Sequence, residues 1–478
     1  MTMPTLPQHA AAVNFSPKLS YQQLVAQSAI FIFTLVFAML LILGAAAVVR
    51  PLYPAAALLT AAALFAIHRG QYVAFVIWLF MVTPFVRRVA DYHAGYQERS
   101  IIMLAPLLAA MVAAIVLLKK LPLLYTIPFL PFLVVLLGLL YGYFVGIVNA
   151  GPIPASYDLL LWVVPLSFGF AIASDWRSFP MYRDSIFRIF LWGGAVLGGY
   201  GVYQYFFLPG WDSYWMRNAI VGGFNSIGYP FPLKVRVFST MNGPTAYGAM
   251  MVPVLLIVLV ARDWMRFPAA FLGLGGVALS IVRTAWLGWG LGSLVLLTKL
   301  RGGQRLKLAA GLTAIGLLAL PVLTTGEIGE RFTDRLQTFS DIEGDKSYQA
   351  RQKLYAVMTE KALTNVVGTG VGAVGVATKL SNRSGRVEFN IDSGLLFVPY
   401  TLGWPGALLM LLGITALLIR PSGTVNRHAE AAVQVSTAVC IALIAMMVSY
   451  NSMYGVGGMI FWTFMGLRLC GRLWSANH

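Results

Sequence analysis

The chain has 478 residues, of which 59% are apolar and 11% charged, and its 34 Lys and Arg against 17 Asp and Glu leave a net charge of +17. A soluble domain carries roughly 25% charged residues, so a disordered chain, a disulfide-rich secreted scaffold and an ordinary cytosolic enzyme are all excluded. A polytopic all-α membrane protein remains, and its basic excess reads first as lysine and arginine in cytoplasmic loops rather than as a nucleic-acid surface.

A bilayer-spanning helix needs about 20 apolar residues. On that measure the chain holds about fourteen candidate spans, at roughly 28–49, 52–68, 71–86, 101–118, 123–147, 157–173, 186–207, 242–261, 266–282, 284–299, 307–325, 393–419, 431–449 and 453–473. Four of them are short, so re-entrant segments would bring the count to about twelve. The domain reading is a cytoplasmic tail over 1–27, a membrane bundle of about eleven spans over 28–325, a large loop over 326–392 and about three spans over 393–478. Cys440 lies in an apolar segment and Cys470 near the C-terminus, without metal-ligand or disulfide spacing.

With the N-terminus inside, the inner connections carry Arg69, Lys119, Lys120, Arg177, Arg183, Arg188, Arg262, Arg266, Lys299, Arg301, Arg305, Lys307, Arg420, Arg427, Arg468 and Arg472. The outer turns at 148–156 and 450–452 carry neither lysine nor arginine. Both termini are therefore expected in the cytoplasm. Two outer loops are long, at about 208–241 and about 326–392. Within the second, Gly344 to Val366 has helical periodicity, with Asp345 and Ser347 as candidate N-caps and Gly368, Gly370 and Gly372 as breakers.

Cations expected on the outer side break the simple pattern. Lys234 and Arg236 precede the eighth span, Arg283 sits in a short turn between apolar runs, and Arg331, Arg335, Arg351, Arg383 and Arg386 lie in the large loop. Charge at membrane depth is costly and tends to mark a cavity or substrate site, and guanidinium binds phosphate through a planar fork. Long translocated loops escape the charge rule, so Arg331, Arg335, Arg383 and Arg386 read better as solvated or paired with Glu327, Glu330, Asp334 or Glu388 than as a site. Arg283, in a short turn, has no such explanation; Arg236 stands out because a Gly-, Pro- and Asn-rich membrane entry follows it at once, and Arg351 because it lies in an ordered-looking helix. No His, Asp and Glu cluster suits a divalent metal, and no cofactor is expected.

These residues form motifs. Val235 to Met250 (VRVFSTMNGPTAYGAM), Ser280 to Trp286 (SIVRTAW), Asp345 to Gly372 and Asp392 to Gly406 (DSGLLFVPYTLGWPG) together resemble four segments of the O-antigen ligase/polymerase family, in the same order. The resemblance covers about 235–406, and the three spans after the large loop also fit. It implies an outer-face site for an undecaprenyl-pyrophosphate-linked glycan donor, with Arg236, Arg283 and Arg351 on the pyrophosphate. Ligases of the family carry a histidine where this chain has Asp392. The resemblance therefore implies a Wzy-type polymerase of exopolysaccharide, capsule or O-antigen repeat units in the bacterial inner membrane, with a ligase, a transferase onto protein, or a flippase as alternatives. Chain-length regulators and flippases are the partners it implies besides a glycan acceptor and the bilayer.

In that reading Asp392 is the general base for the acceptor hydroxyl, although it or Ser393 serves equally as a helix N-cap. Gly403 to Gly406 reads as a kink in a long helix, and Asn242 with Pro244 as a helix start. Trp211, Tyr214, Trp215 and Trp286 fit either sugar stacking or an interfacial belt.

Overall fold

The computed structural model describes residues 20–221, 227–299, 355–380 (apart from 357, 358 and 363), 391–419 and 427–477. Over these residues the protein is an all-α polytopic bundle. Its helices are α1 (Tyr21–Ile42), α2 (Ala46–Ile67), α3 (Arg69–Ala94), α4 (Ala105–Met111), α5 (Ala114–Lys119), α6 (Leu130–Ala150), α7 (Pro152–Ser174), α8 (Phe179–Phe207), α9 (Gly210–Val221), α10 (Pro244–Val258), α11 (Arg266–Ser280), α12 (Arg283–Lys299), α13 (Gly394–Ile419), α14 (Arg427–Met446) and α15 (Gly455–Ala476). Eight helical segments among the described residues are long and apolar enough to cross a membrane, and Pro244–Val258, Arg266–Ser280 and Ala431–Met446 are shorter apolar helices. This is a multi-pass membrane protein.

Each expected span except 307–325 meets a helix or helical segment, and that one lies outside the described residues. Two differences have local causes. The fourth span is broken into a 3-10 turn over Ile101–Leu104 followed by α4 and α5. The expected outer loop at 208–241 contains a helix of its own, α9. Its 12 residues, GWDSYWMRNAIV, are too short and too polar for a span, so a hydropathy window passes over it.

Small residues let the helix backbones approach closely, as expected where lipid removes the hydrophobic drive between helices. A Cβ on Gly466 of α15 would lie 2.3 Å from the carbonyl oxygen of Gly169 on α7, and one on Gly198 of α8 would lie 2.5 Å from the backbone of Leu272 on α11. One end of the bundle gathers Arg69, Lys120 and Asp175. Arg69 pairs with Asp175 at 3.1 Å, Lys120 Nζ donates to the Ser174 carbonyl at 3.2 Å, and Cys470 near the end of α15 lies against Trp176. Arg468 is buried there rather than exposed in a connection. Its guanidinium donates to Leu417 and Leu418 carbonyls in the last turn of α13 and its Nε to Thr437 Oγ1, satisfying acceptors that a helix C-terminus leaves open.

α13 bends where the sequence reads as a kink. Gly403 leaves helical geometry at φ 66° and ψ 176°. Pro405 has no N–H to offer the Thr401 carbonyl four residues back, and that carbonyl accepts instead from Gly370 N at 2.9 Å. Trp404 N turns to the Val366 carbonyl at 2.9 Å, and the Tyr400 carbonyl takes Thr369 N at 2.9 Å. The break in one helix thus provides the acceptors on which the glycine-rich segment 366–372 is seated.

Candidate functional site

The residues expected at the site come from three chain segments. The first is 227–243, which enters α10. It begins with a single antiparallel bridge between Gly228 and Val235, with Arg236 N donating to the Ile227 carbonyl at 3.0 Å. The half-buried Arg236 side chain crosses to the end of α11, where its guanidinium donates to the carbonyls of Ser280 at 3.3 Å and Ile281 at 3.2 Å. Val237 N continues the seam, donating to the Leu279 carbonyl at 3.2 Å. Pro244 then opens α10 at its first position, where the missing N–H costs nothing.

The second segment is the turn between α11 and α12. Ile281 takes a left-handed conformation, φ 53°, which stops α11 and lets the chain restart at once as α12. Arg283 is the first residue of α12 and is half-buried. Arg236 therefore grips the two residues that lead into the turn carrying Arg283.

The third segment is the entry to α13. Asp392 is exposed, while Ser393 and Gly394 beside it are buried. The Ser393 hydroxyl donates to the Met447 carbonyl at 3.1 Å, so its hydrogen bond goes across to another element. Leu395 N donates to the same carbonyl at 3.2 Å. Met447 opens the turn between α14 and α15, and two residues later Ser449 donates to Thr284 Oγ1 at 2.9 Å. One turn, 447–450, thus joins the root of Asp392 to the first turn of the helix that carries Arg283. Arg351 lies outside the described residues, but Tyr355 reaches the same turn and donates to the Val448 carbonyl at 2.7 Å.

The glycine-rich segment is held beside this end. Gly372 N donates to Asp158 Oδ2 at 2.8 Å, and Tyr454, which precedes α15, donates to Asp158 Oδ1 at 2.6 Å. Val371 N reaches the Gly142 carbonyl of α6 at 2.9 Å.

Several buried charges here are not foreseen from the sequence. Arg88 and Asp212 have fully buried side chains 3.3 Å apart, and Asp91, also fully buried, pairs with Arg50 at 3.2 Å and Arg87 at 3.3 Å. Their signal in the sequence is charge inside or beside apolar runs; what the sequence withholds is the partner. Burial raises the Asp212 carboxyl while Arg88, Gln204 and Tyr200 pull it down. The aromatic residues are occupied within the protein. Trp215 is buried against Phe238, with ring centroids 5.6 Å apart, Trp211 Nε1 donates to Tyr200, Tyr214 accepts from Tyr96 N, and Trp286 Nε1 donates to the Val277 carbonyl.

Among the described residues no three His, Cys, Asp or Glu side chains gather in a way that would hold a metal ion. What the arrangement offers chemically is two guanidinium groups on adjoining turns and an exposed carboxylate rooted in the same turn cluster. No protein-family model and no curated protein matches this chain.

Proposed function

We propose that the protein is a membrane glycosyltransferase that polymerises undecaprenyl-pyrophosphate-linked oligosaccharide repeat units on the outer face of the bacterial inner membrane. The observation that carries this reading is the gathering of Arg236, Arg283 and the root of Asp392 around the 280–284 and 447–450 turns, away from the end defined by Arg69, Lys120 and Asp175. By the positive-inside rule the Arg69 end is read as cytoplasmic; in this reading the site faces outward and the termini lie inside.

In this mechanism an acceptor sugar hydroxyl attacks the anomeric carbon of the donor. The carbon–oxygen bond to the pyrophosphate breaks, and its electron pair leaves with the phosphate oxygen. Arg236 and Arg283 meet the charge that develops there, as preorganised donors do for a leaving group, and Arg351 is the third candidate for that role. Asp392 takes the proton from the attacking hydroxyl. An exposed carboxylate at the point where the chain enters α13 is accessible to a polar acceptor, while the lipid tail stays among the helices.

The test is elongation by the purified full chain in nanodiscs, supplied with lipid-linked repeat units alone. Longer glycans are expected from the parent protein. Arg236→Ala and Arg283→Ala are each expected to cut the rate by about 10²–10³-fold, the usual loss when one charge-stabilising donor is removed. Asp392→Asn is expected to cut it by about 10²–10⁴-fold, the range of general-base catalysis. An absolute need for lipid A-core as acceptor would make the protein a ligase. Movement of the lipid across liposomes without a new glycosidic bond would make it a transporter.

A further inference from the structure

We infer that the buried Arg88–Asp212 pair, acting through Gln204, is the positioning device that sets where Arg236 stands; the inference rests on the pyrophosphate-binding role proposed for Arg236. Residues 237–241 cross the interior outside any helix, closed by one turn from Met241 N to the Phe238 carbonyl at 2.9 Å, and Ser239 is left-handed at φ 51°. Buried irregular backbone survives only where protein groups satisfy it. Here one connected network of side chains supplies most of the partners. Asp212 Oδ2 accepts from Gln204 Nε2 and from the Tyr200 hydroxyl, both at 2.7 Å. The Gln204 oxygen so oriented accepts two consecutive amides, Phe238 N at 3.1 Å and Ser239 N at 2.8 Å. Arg88, held by Asp212 on one side, donates to the carbonyls of Ser239 and of Met241, the latter at 3.2 Å.

The Arg88 guanidinium also lies 4.8 Å from the centre of the Phe238 ring, a cation–π contact that fixes the same residue from its side chain. Thr240 is tied separately, donating to the Met81 carbonyl at 2.6 Å. Phe238 lies two residues beyond Arg236, whose side chain is fixed to Ser280 and Ile281. The segment is therefore clamped between α11 on one side and the Arg88–Gln204–Asp212 network on the other.

A packing role alone does not account for the pair. Two buried charges cost heavily to desolvate, and well-packed apolar residues of similar volume often do as well or better for stability. What apolar residues cannot do is orient the Gln204 amide and hold two carbonyls. A misplacement of about 1 Å can cost about 10²-fold in rate, so the clamp is of the kind that the proposed chemistry requires.

The double variant Arg88→Met with Asp212→Leu separates these roles, because it removes both charges together. It is expected to stay folded with a lowered thermal midpoint, because the Ser239 and Met241 carbonyls lose their donor, and, assayed below that midpoint, to lose about 10–100-fold in kcat with little change in KM. Arg236→Lys supplies the coupling readout. Its loss in the parent is expected to shrink to less than about 2-fold in the double variant, since coupled sites are not additive. A double variant with parental kcat, or an Arg236→Lys loss that multiplies in full, would overturn the inference. Gln204→Met, which leaves the Arg88–Asp212 pair intact and removes only the amide that holds Phe238 and Ser239, serves in the same cycle if the double variant does not fold.

Hydrogen exchange decides independently of any glycan chemistry. The Phe238 and Ser239 amides are expected to exchange faster in the variant than in the parent, and unchanged exchange contradicts the clamp. A parent protein that elongates nothing in the polymerisation assay would defeat the glycosyltransferase reading, while the exchange result would still decide whether the clamp exists.

Discussion

Arg88→Ala should destabilise the protein by about 3–5 kcal/mol, because truncating one member of a buried pair leaves the other charge without compensation. Asp212 would remain at 0% exposure, with only the neutral donors Tyr200 and Gln204 on its second oxygen. The loss is compounded on the other side of the network, where the Ser239 and Met241 carbonyls lose their guanidinium donor. Against a typical total of about 5–15 kcal/mol, such a loss is large enough to abolish accumulation of the folded protein in the membrane. Thermal unfolding in detergent, followed by loss of monodispersity, measures it. A midpoint within a few degrees of the parent would mean that water or another group replaces Arg88, and the buried pair would then carry little of the structure.

The second large effect is expected at Gly370. Its φ is +87°, and a Cβ there would lie 2.3 Å from Gly146 N and 2.4 Å from Gly146 Cα on α6. Both neighbours are backbone atoms of a long helix, so no side chain can swing aside. Gly370→Val should therefore unseat the segment from α6 and α13, which frees the Thr401 carbonyl and the Val371 amide together. The control is Gly375, where φ is +77° but a Cβ would meet nothing within 4 Å. Gly375→Ala should cost only the left-handed backbone penalty, about 1–2 kcal/mol. Limited proteolysis and thermal midpoint read both variants. Equal behaviour of the two would show that close approach to α6 does not hold the segment.

The fold was legible where a single physical rule governs a long window. Helices such as α2, α6 and α13 follow from the requirement for about 20 apolar residues. The bend at Gly403 follows from glycine and proline chemistry written in the sequence Gly403-Trp404-Pro405-Gly406. The same rules could not say which groups would satisfy the carbonyls that Pro405 strands, because Thr369 and Gly370 are brought to them only by the tertiary fold. α9 was hidden for a related reason. Its polar residues look like a loop, yet Asp212 is fully buried by pairing with Arg88 from a distant helix.

At the candidate site, Arg283 stood out as a cation in a short turn between apolar runs, and Arg236 as one followed at once by a Gly-, Pro- and Asn-rich membrane entry. Their proximity through Ser280 and Ile281 was not legible, since it depends on where α11 ends and on the left-handed Ile281. Asp392 shows the same limit. Its place at a helix entry could be read, whereas the attachment of that entry to the Met447 carbonyl, and so to Ser449 and Thr284, is a property of packing.

Photocrosslinking tests most directly whether one lipid-linked pyrophosphate is bound between the turns that carry Arg236 and Arg283. Benzoylphenylalanine is introduced at exposed Leu395 beside the site and at exposed Leu121 near the Lys120 end. With radiolabelled undecaprenyl pyrophosphate as the probe, label is expected at the Leu395 position, and Arg236→Ala or Arg283→Ala in that background should remove most of it. Label confined to the Leu121 position, or label at Leu395 that survives loss of both arginines, would contradict binding between those turns.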